Sequence, residues 1–175
     1  AGVERISFGS SYNDNPAWSP DGDKIAYTGR VGRRFQIKVY DLTTKTSTVV
    51  TKTRGNNEQP TWSPDGKKIA FTSDRSGRGA PQIYIMDAHH GDKAGVDRIS
   101  FGSSYNDNPA WSPDGDKIAY TSRVGRRFQI KVYDLTTKKR TVLTKTRGNN
   151  EQPTWSPDGR FIAYRHKEGS KMSTY

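Results

Sequence analysis

The stretch Asn15-Pro-Ala-Trp-Ser-Pro-Asp-Gly22 decides the fold, because it recurs three more times along the chain. The other copies begin at Gln59, Asn108 and Gln152, so the spacings are 44, 49 and 44 residues. In each copy a Ser-Pro-Asp-Gly turn follows a tryptophan, with Pro fixing φ and Gly accepting a positive φ. A period of this length indicates a repeat protein, here with four units.

A second repeat has a longer period, and each of its two copies contains two of the shorter motifs. Residues 2–71 and 95–164 align without a gap and are identical at 62 of 70 positions. Independent drift would have scattered changes through the surface loops. The identity therefore indicates a recent duplication or a deliberate design, and we favour design.

Within a unit the apolar residues follow a period of two. Residues 24–28 and 35–40 alternate apolar with polar or small side chains, as half-buried strands do. Residues 47–51 and 16–19 supply two shorter strands, and no stretch has a helical period. The sequence therefore predicts an all-β protein built from four-stranded antiparallel units.

The composition narrows the class of protein. Leu, Ile, Val and Phe make up only 16% of residues and the net charge is +11, which is typical of disordered chains. The aromatic share of 11% compensates, because these large side chains recur in register. We expect neither a membrane span nor a secretory leader, and the absence of Cys excludes disulfides, thiolate metal sites and a Cys nucleophile.

Four strands in 40–45 residues is the size of a β-propeller blade. Residues 16–27 resemble the WD-repeat-like blade motif of the TolB family, and residues 54–62 and 80–84 strengthen the resemblance, which covers nearly the whole chain. The resemblance implies a bacterial periplasmic propeller, usually six-bladed, that binds a peptidoglycan-associated lipoprotein. We expect four blades here, without the family's separate α/β domain, so the resemblance implies the fold and leaves the ligand open.

We expect residues 1–175 to form a single propeller unit. An orphan outer strand at 3–8 precedes four blades, which span 15–51, 59–101, 108–144 and 152–175. The last blade lacks its outer strand. Residues 3–8 nearly repeat 96–101, the outer strand of the second blade, so they are suited to complete the fourth. The residues expected to close the ring are Val3, Ile6, Phe8, Met172 and Tyr175.

The ring can close in two ways. One chain would need about 90° between neighbouring blades, whereas two chains exchanging strands would need about 45°. The family geometry is mostly 60°, so an eight-bladed homodimer departs less from it, and a three-chain ring is less favourable still. We therefore predict a homodimer with strand exchange.

The four tryptophans, Trp18, Trp62, Trp111 and Trp155, occupy one equivalent position in each blade. Equivalent aromatics in repeats normally pack between neighbouring units, and we favour that role over ligand stacking.

Propeller topology places the loops between second and third strands on the same edge as the loops that enter each blade. The charges of these loops sum to +8 of the total +11. Tyr12 and Tyr105 lie among them and are suited to stacking. The simplest interpretation is a solvated surface. The functional ones are an acidic protein or anionic polymer and, less favoured, nucleic acid. The candidate cations are Arg30, Arg33, Arg34, Arg123, Arg126 and Arg127.

No catalytic, metal or cofactor site is predicted. His89 and His90 with Asp92 form a weak metal pattern, because adjacent side chains on an extended segment point apart. Asp21 and Asp23 are better explained as turn residues. The sequence has no G-x-S-x-G elbow and no Ser, His and Asp that fall on neighbouring strands. We therefore expect a binding or scaffold protein, and not an enzyme.

Overall fold

The computed structural model describes residues 5–7, 12–77 and 80–175. These residues form fifteen strands in four antiparallel sheets, and they contain no helix. No element among them is a helix long and apolar enough to cross a membrane. The prediction of an all-β propeller with four antiparallel blades is confirmed.

Each blade is a meander whose strands pair in chain order. The strands of blade 1 are β1 (Asn13–Trp18), β2 (Lys24–Val31), β3 (Arg34–Asp41) and β4 (Thr46–Val49). Those of blade 2 are β5 (Asn57–Trp62), β6 (Lys68–Ser73), β7 (Gln82–Asp87) and β8 (Gly91–Arg98). Those of blade 3 are β9 (Asn106–Trp111), β10 (Lys117–Val124), β11 (Arg127–Asp134) and β12 (Arg140–Val142). Blade 4 has three, β13 (Asn149–Trp155), β14 (Ile162–Glu168) and β15 (Lys171–Thr174).

The core lies between the blades. The second strands of blades 1, 2 and 3 are buried along their middle residues, whereas β14 in blade 4 has no buried residue. Ile69, Ala70 and Phe71 in β6 are consecutive and all fully buried. The first strands of successive blades contact one another, so they line the inner edge of the array.

The first strand of each blade begins earlier than the sequence predicts. Asn13 already pairs with Gly29, and a bulge between Asp14 and Ala17 separates it from the rest of the strand. The residue at the bulge, Asn15, has a φ of 52° although it precedes a proline, where extended backbone is usual. In blade 2 the backbone N–H of the corresponding Gln59 donates to Thr28 Oγ1 of blade 1 at 3.1 Å, so a contact between blades holds the bulge.

At two of the three joints between blades a tryptophan indole bonds to the preceding blade, whereas Trp111 Nε1 at the middle joint is buried without a hydrogen-bond partner in the described structure. Trp62 is 8% exposed, and its indole Nε1 donates to the carbonyl oxygen of Ala17 in the preceding blade at 3.1 Å. Trp155 makes the same bond to Ala110, also at 3.1 Å. The indoles of both residues therefore lie between blades, as expected from the repeat.

A buried polar cluster accompanies each joint. The Oε1 of Gln36 accepts hydrogen bonds from Thr51 Oγ1 at 2.7 Å and from Asn57 Nδ2 at 2.9 Å. Asn57 belongs to the next blade and is completely buried. The same arrangement recurs at the two later joints, where the partners are Gln82 with Asn106 and Gln129 with Asn150. The bonds between the Gln oxygen and the Asn N–H groups lower the penalty of burying them, although Asn106 Oδ1 has no hydrogen-bond partner in the described structure.

Exposed side chains occur at both ends of the blade array, although Ile25 and Tyr27 in blade 1 are buried. No extensive contact joins blade 1 to blade 4 within the described residues. Trp18, the equivalent of the buried Trp62, is 61% exposed. No described strand pairs with the outer edge of β15, whose four residues are all exposed. The predicted outer strand at 3–8 lies mostly outside the described residues, as do Val3 and Phe8.

Candidate functional site

One edge of the propeller, here called the loop face, gathers the turns between second and third strands and the starts of the first strands. The pairing of Asn13 with Gly29 and of Val31 with Arg34 places both features at the same edge in blade 1. The registers of blade 3 are equivalent. The loop face therefore carries the charged residues that the sequence singles out.

Six arginines lie on two turns of this face, one turn in blade 1 and one in blade 3. All six side chains are exposed. Arg30 Nε donates to the carbonyl oxygen of Gly32 at 3.2 Å, which fixes one turn. Within the described part of the chain, no carboxylate lies at ion-pair distance from Arg33, Arg34, Arg126 or Arg127. We call residues 30–34 and 123–127 the arginine loops.

Tyr12 and Tyr105 are engaged within their own blades. The Tyr12 ring lies 5.0 Å from the Phe35 ring, and its hydroxyl donates to Asp14 Oδ2 at 3.0 Å. Tyr105 repeats this arrangement with Phe128 at 5.4 Å and Asp107 Oδ2 at 3.2 Å. Tyr12 is still 45% exposed, so one ring edge remains accessible at this face.

A row of carboxylates, which sequence reasoning missed, lies on the inner side of the arginine loops. Every first strand has an acidic residue four positions before its tryptophan, and together these residues form the carboxylate row: Asp14, Glu58, Asp107 and Glu151. Their equivalent position in all four repeats was the available signal. The summed charge of +8 for the loops on this face does not show that the carboxylate row and the arginine loops are separate.

Burial and the charges of neighbouring carboxylates raise the pKa of two residues in the carboxylate row. Burial raises the pKa of Asp107 to about 6, and the charge of Glu151 adds to this effect. Burial also raises the pKa of Glu58, helped by the charges of Asp74 and Asp14. Asp107 Oδ1 is buried and has no hydrogen-bond partner within the described structure. Glu151 is compensated by an ion pair with Arg165.

A polar cavity of about 200 Å³ opens beside the row, between blades 2 and 3. Glu58, Asp74, Tyr105 and Asp107 contribute to its lining. Burial, followed by the charge of Asp107, raises the pKa of the Tyr105 hydroxyl to about 12, so Tyr105 is a hydrogen-bond donor at neutral pH. The cavity therefore offers carboxylate acceptors next to a phenolic donor.

The remaining candidate residues are those expected to close the ring and those of the weak metal pattern. Met172 and Tyr175 are 60% and 64% exposed at the end of blade 4, and Ile6 is half-buried. His90 Nδ1 lies 2.9 Å from Asp87 Oδ1 on the surface, whereas Asp92 is buried against Arg75. The described ranges contain no group of three His, Cys, Asp or Glu side chains arranged to hold a metal ion.

Comparison with known proteins gives one family. The family described as TolB beta propeller domain matches residues 1–175. TolB from Acinetobacter baumannii is 33% identical with a TM-score of 0.83, and the alignment covers 98% of this chain and 42% of that one. The putative TolB from Agrobacterium tumefaciens is 24% identical with a TM-score of 0.81, with 93% and 57% covered. The chain thus spans about half the length of these two proteins.

Similar blades also occur in an enzyme. A puromycin-hydrolyzing peptidase from Mycobacterium tuberculosis has a TM-score of 0.77 at 16% identity, over 98% of this chain and 28% of that one. At this identity the likeness concerns the fold alone.

Proposed function

The chain belongs to the TolB β-propeller domain family, and on that premise we propose that it is a non-enzymatic protein-interaction module that binds an acidic partner through its loop face. The observation that carries the proposal is the pair of arginine loops on alternate blades. Arginine forms bidentate contacts with carboxylates, so four exposed and unpaired guanidinium groups suit an acidic protein surface. Association should be fast and strongly salt-dependent.

The carboxylate row limits which partners fit. A ligand that covers the whole loop face must place negative charge over the arginine loops and keep it away from the inner row. A folded protein with a patterned surface meets this requirement more readily than a uniformly charged polymer. Binding of an anionic polymer is the alternative function, since a polymer is able to contact the arginine loops alone. Nucleic acid is less favoured, because it is uniformly charged.

The test compares two variants with the same change in net charge. In the first, Arg33, Arg34, Arg126 and Arg127 become Ser. In the control, four exposed lysines away from the loop face, Lys67, Lys93, Lys138 and Lys139, become Ser. The probes are immobilised poly-glutamate, heparin and single-stranded DNA, each eluted with a salt gradient.

We expect the arginine variant to elute from poly-glutamate at much lower salt than the wild type, and the lysine variant to elute close to it. Equal elution of the two variants would refute the role of the arginine loops. Stronger loss on heparin or DNA than on poly-glutamate would favour the polymer alternative. Hydrolysis of peptide or ester substrates by the purified protein would contradict the non-enzymatic assignment.

A further inference from the structure

The two arginine loops are copies of one hairpin turn. Residues 30–34 and 123–127 have the same sequence, Arg-Val-Gly-Arg-Arg. In each loop the valine pairs with the last arginine, so only the glycine and the arginine after it form the turn. The glycine has a φ of 60° in one loop and 62° in the other, as the first position of a two-residue hairpin turn requires. The loops therefore present their arginines in the same local geometry.

The exposure of these loops does not depend on the place of their blade in the array. Blade 3 is packed between blades 2 and 4, yet all five residues of its loop are exposed, as are the five in blade 1. Val31 and Val124 are 41% and 39% exposed, so the two turns project from the loop face to nearly the same extent. The arginines are therefore accessible because they lie at the tip of a hairpin.

Each arginine loop is also anchored in the same way at its base. The backbone N–H of Phe35, directly after the first loop, donates to Asn56 Oδ1 before the next blade at 3.1 Å. The N–H of Phe128 makes the same bond to Asn149 Oδ1 at 3.0 Å. A tight and anchored turn loses little conformational freedom when it binds a ligand. Two turns with the same residues and the same anchor should bind the same ligand group with the same affinity.

The turn of blade 2 lies between the arginine loops and does not continue their positive charge. Arg75 is the only basic residue in the described part of this turn, residues 73–77 and 80–81. Its side chain is 9% exposed and pairs with the buried Asp92 at 3.4 Å. Burial, and next the charge of Asp74 in this turn, raises the pKa of Glu58, so Asp74 adds negative charge beside the carboxylate row. An acidic chain that crossed from one arginine loop to the other would therefore pass carboxylates.

We propose that the acidic partner presents two separate acidic segments, one for each arginine loop, and that one chain of this protein binds both segments at once. This inference rests on the proposed function and specifies the form of its partner. Binding of the second segment is then intramolecular, and its effective concentration reaches roughly the millimolar range when the connection between the segments spans the two loops. The joined pair should therefore bind more tightly than either segment alone.

Calorimetric titration at low salt with synthetic peptides tests the proposal. The single peptide has one short run of glutamates, and the tandem peptides have two such runs joined by Gly-Ser linkers of roughly 5 to 30 residues. Each of two loop variants removes the exposed arginine pair of one loop, and they are Arg33→Ser with Arg34→Ser, and Arg126→Ser with Arg127→Ser. The charge-matched control is Lys138→Ser with Lys139→Ser, at exposed positions away from the loop face.

We expect the wild type to bind two single peptides per chain but only one tandem peptide. With the best linker, the tandem peptide should bind roughly tenfold tighter than the single peptide, or more. Each loop variant should bind one single peptide and lose the tandem gain, whereas the lysine control should keep both properties. Glutamates in place of the linker should not tighten binding further, because they would face the carboxylates of blade 2.

The proposal would be overturned by a wild type that binds only one single peptide, by the absence of a tandem gain at every linker length, or by a gain that either loop variant retains. Tighter binding with the glutamate linker would also overturn it, since the two sites would then be one. If the variant that lacks all four arginines still loses the single peptide in those cases, the proposed function stands. Equal binding of the single peptide by that variant and the wild type would overturn both.

Discussion

Replacing Asp107 with Asn should stabilise the protein at neutral pH. Asp107 lies in the carboxylate row, and burial raises its pKa from 3.8 to about 6. Because its folded-state pKa exceeds the unfolded value, the folded protein holds this proton more tightly, and stability falls as the pH rises from about 4 to about 6. The difference of about two pH units corresponds to roughly 3 kcal/mol at neutral pH.

Asn keeps an oxygen that accepts the Tyr105 hydroxyl and removes the buried charge. The free energy of unfolding in urea should therefore rise by about 2–3 kcal/mol near pH 7.5 and by only about 1 kcal/mol near pH 4.5. Asp116→Asn in the same blade is the control, since Asp116 is exposed, and it should change stability by less than about 0.5 kcal/mol. A gain that does not depend on pH, or an equal gain from Asp116→Asn, would refute the electrostatic reasoning.

Two further substitutions test the core of blade 2. Arg75→Met should lower the free energy of unfolding by roughly 3 kcal/mol, because Asp92 is 2% exposed and would lose its guanidinium partner; adding Asp92→Asn should restore part of the loss in urea titrations, and no recovery would contradict the ion-pair explanation. Trp62→Phe should cost about 1–2 kcal/mol through the lost bond to Ala17 and the smaller ring, measured by calorimetry, and an unchanged melting temperature would show that the joint does not depend on the indole.

The blade architecture could be predicted because its determinants are local and repeated. The Ser-Pro-Asp-Gly turn recurs in register, and in all four blades the Ser backbone N–H bonds across it to the start of the second strand, as Ser19 does to the carbonyl oxygen of Lys24 at 2.9 Å. Alternation in residues 24–28 and 35–40 then gives the paired strands β2 and β3. Turn chemistry and a period of two are readable from one unit alone.

The start of each first strand could not be predicted, because it depends on the neighbouring blade. Proline after Asn15 indicates a strand boundary by local rules, whereas the structure continues the strand through a bulge. In blade 2 the corresponding bond runs from Gln59 to Thr28, 31 residues earlier. A contact at that separation is not visible in the local pattern.

The sequence predicted the arginine loops of the candidate site, but it did not predict the carboxylate row. The arginine loops are conspicuous as charge clusters, but summing charge over a whole face hid the carboxylate row. Asp107 and Glu58 become unusual only through burial beside other carboxylates, which is a tertiary property. The exposure of Trp18 is likewise invisible in a sequence where all four tryptophans are equivalent.

The central claim, that the arginine loops bind an acidic partner, is tested most directly by the salt concentration at which the protein elutes from immobilised poly-glutamate. The account predicts that the variant with Ser at the four positions Arg33, Arg34, Arg126 and Arg127 elutes at much lower salt than the variant with Ser at the four lysines Lys67, Lys93, Lys138 and Lys139. Elution of the two variants at the same salt concentration would contradict it.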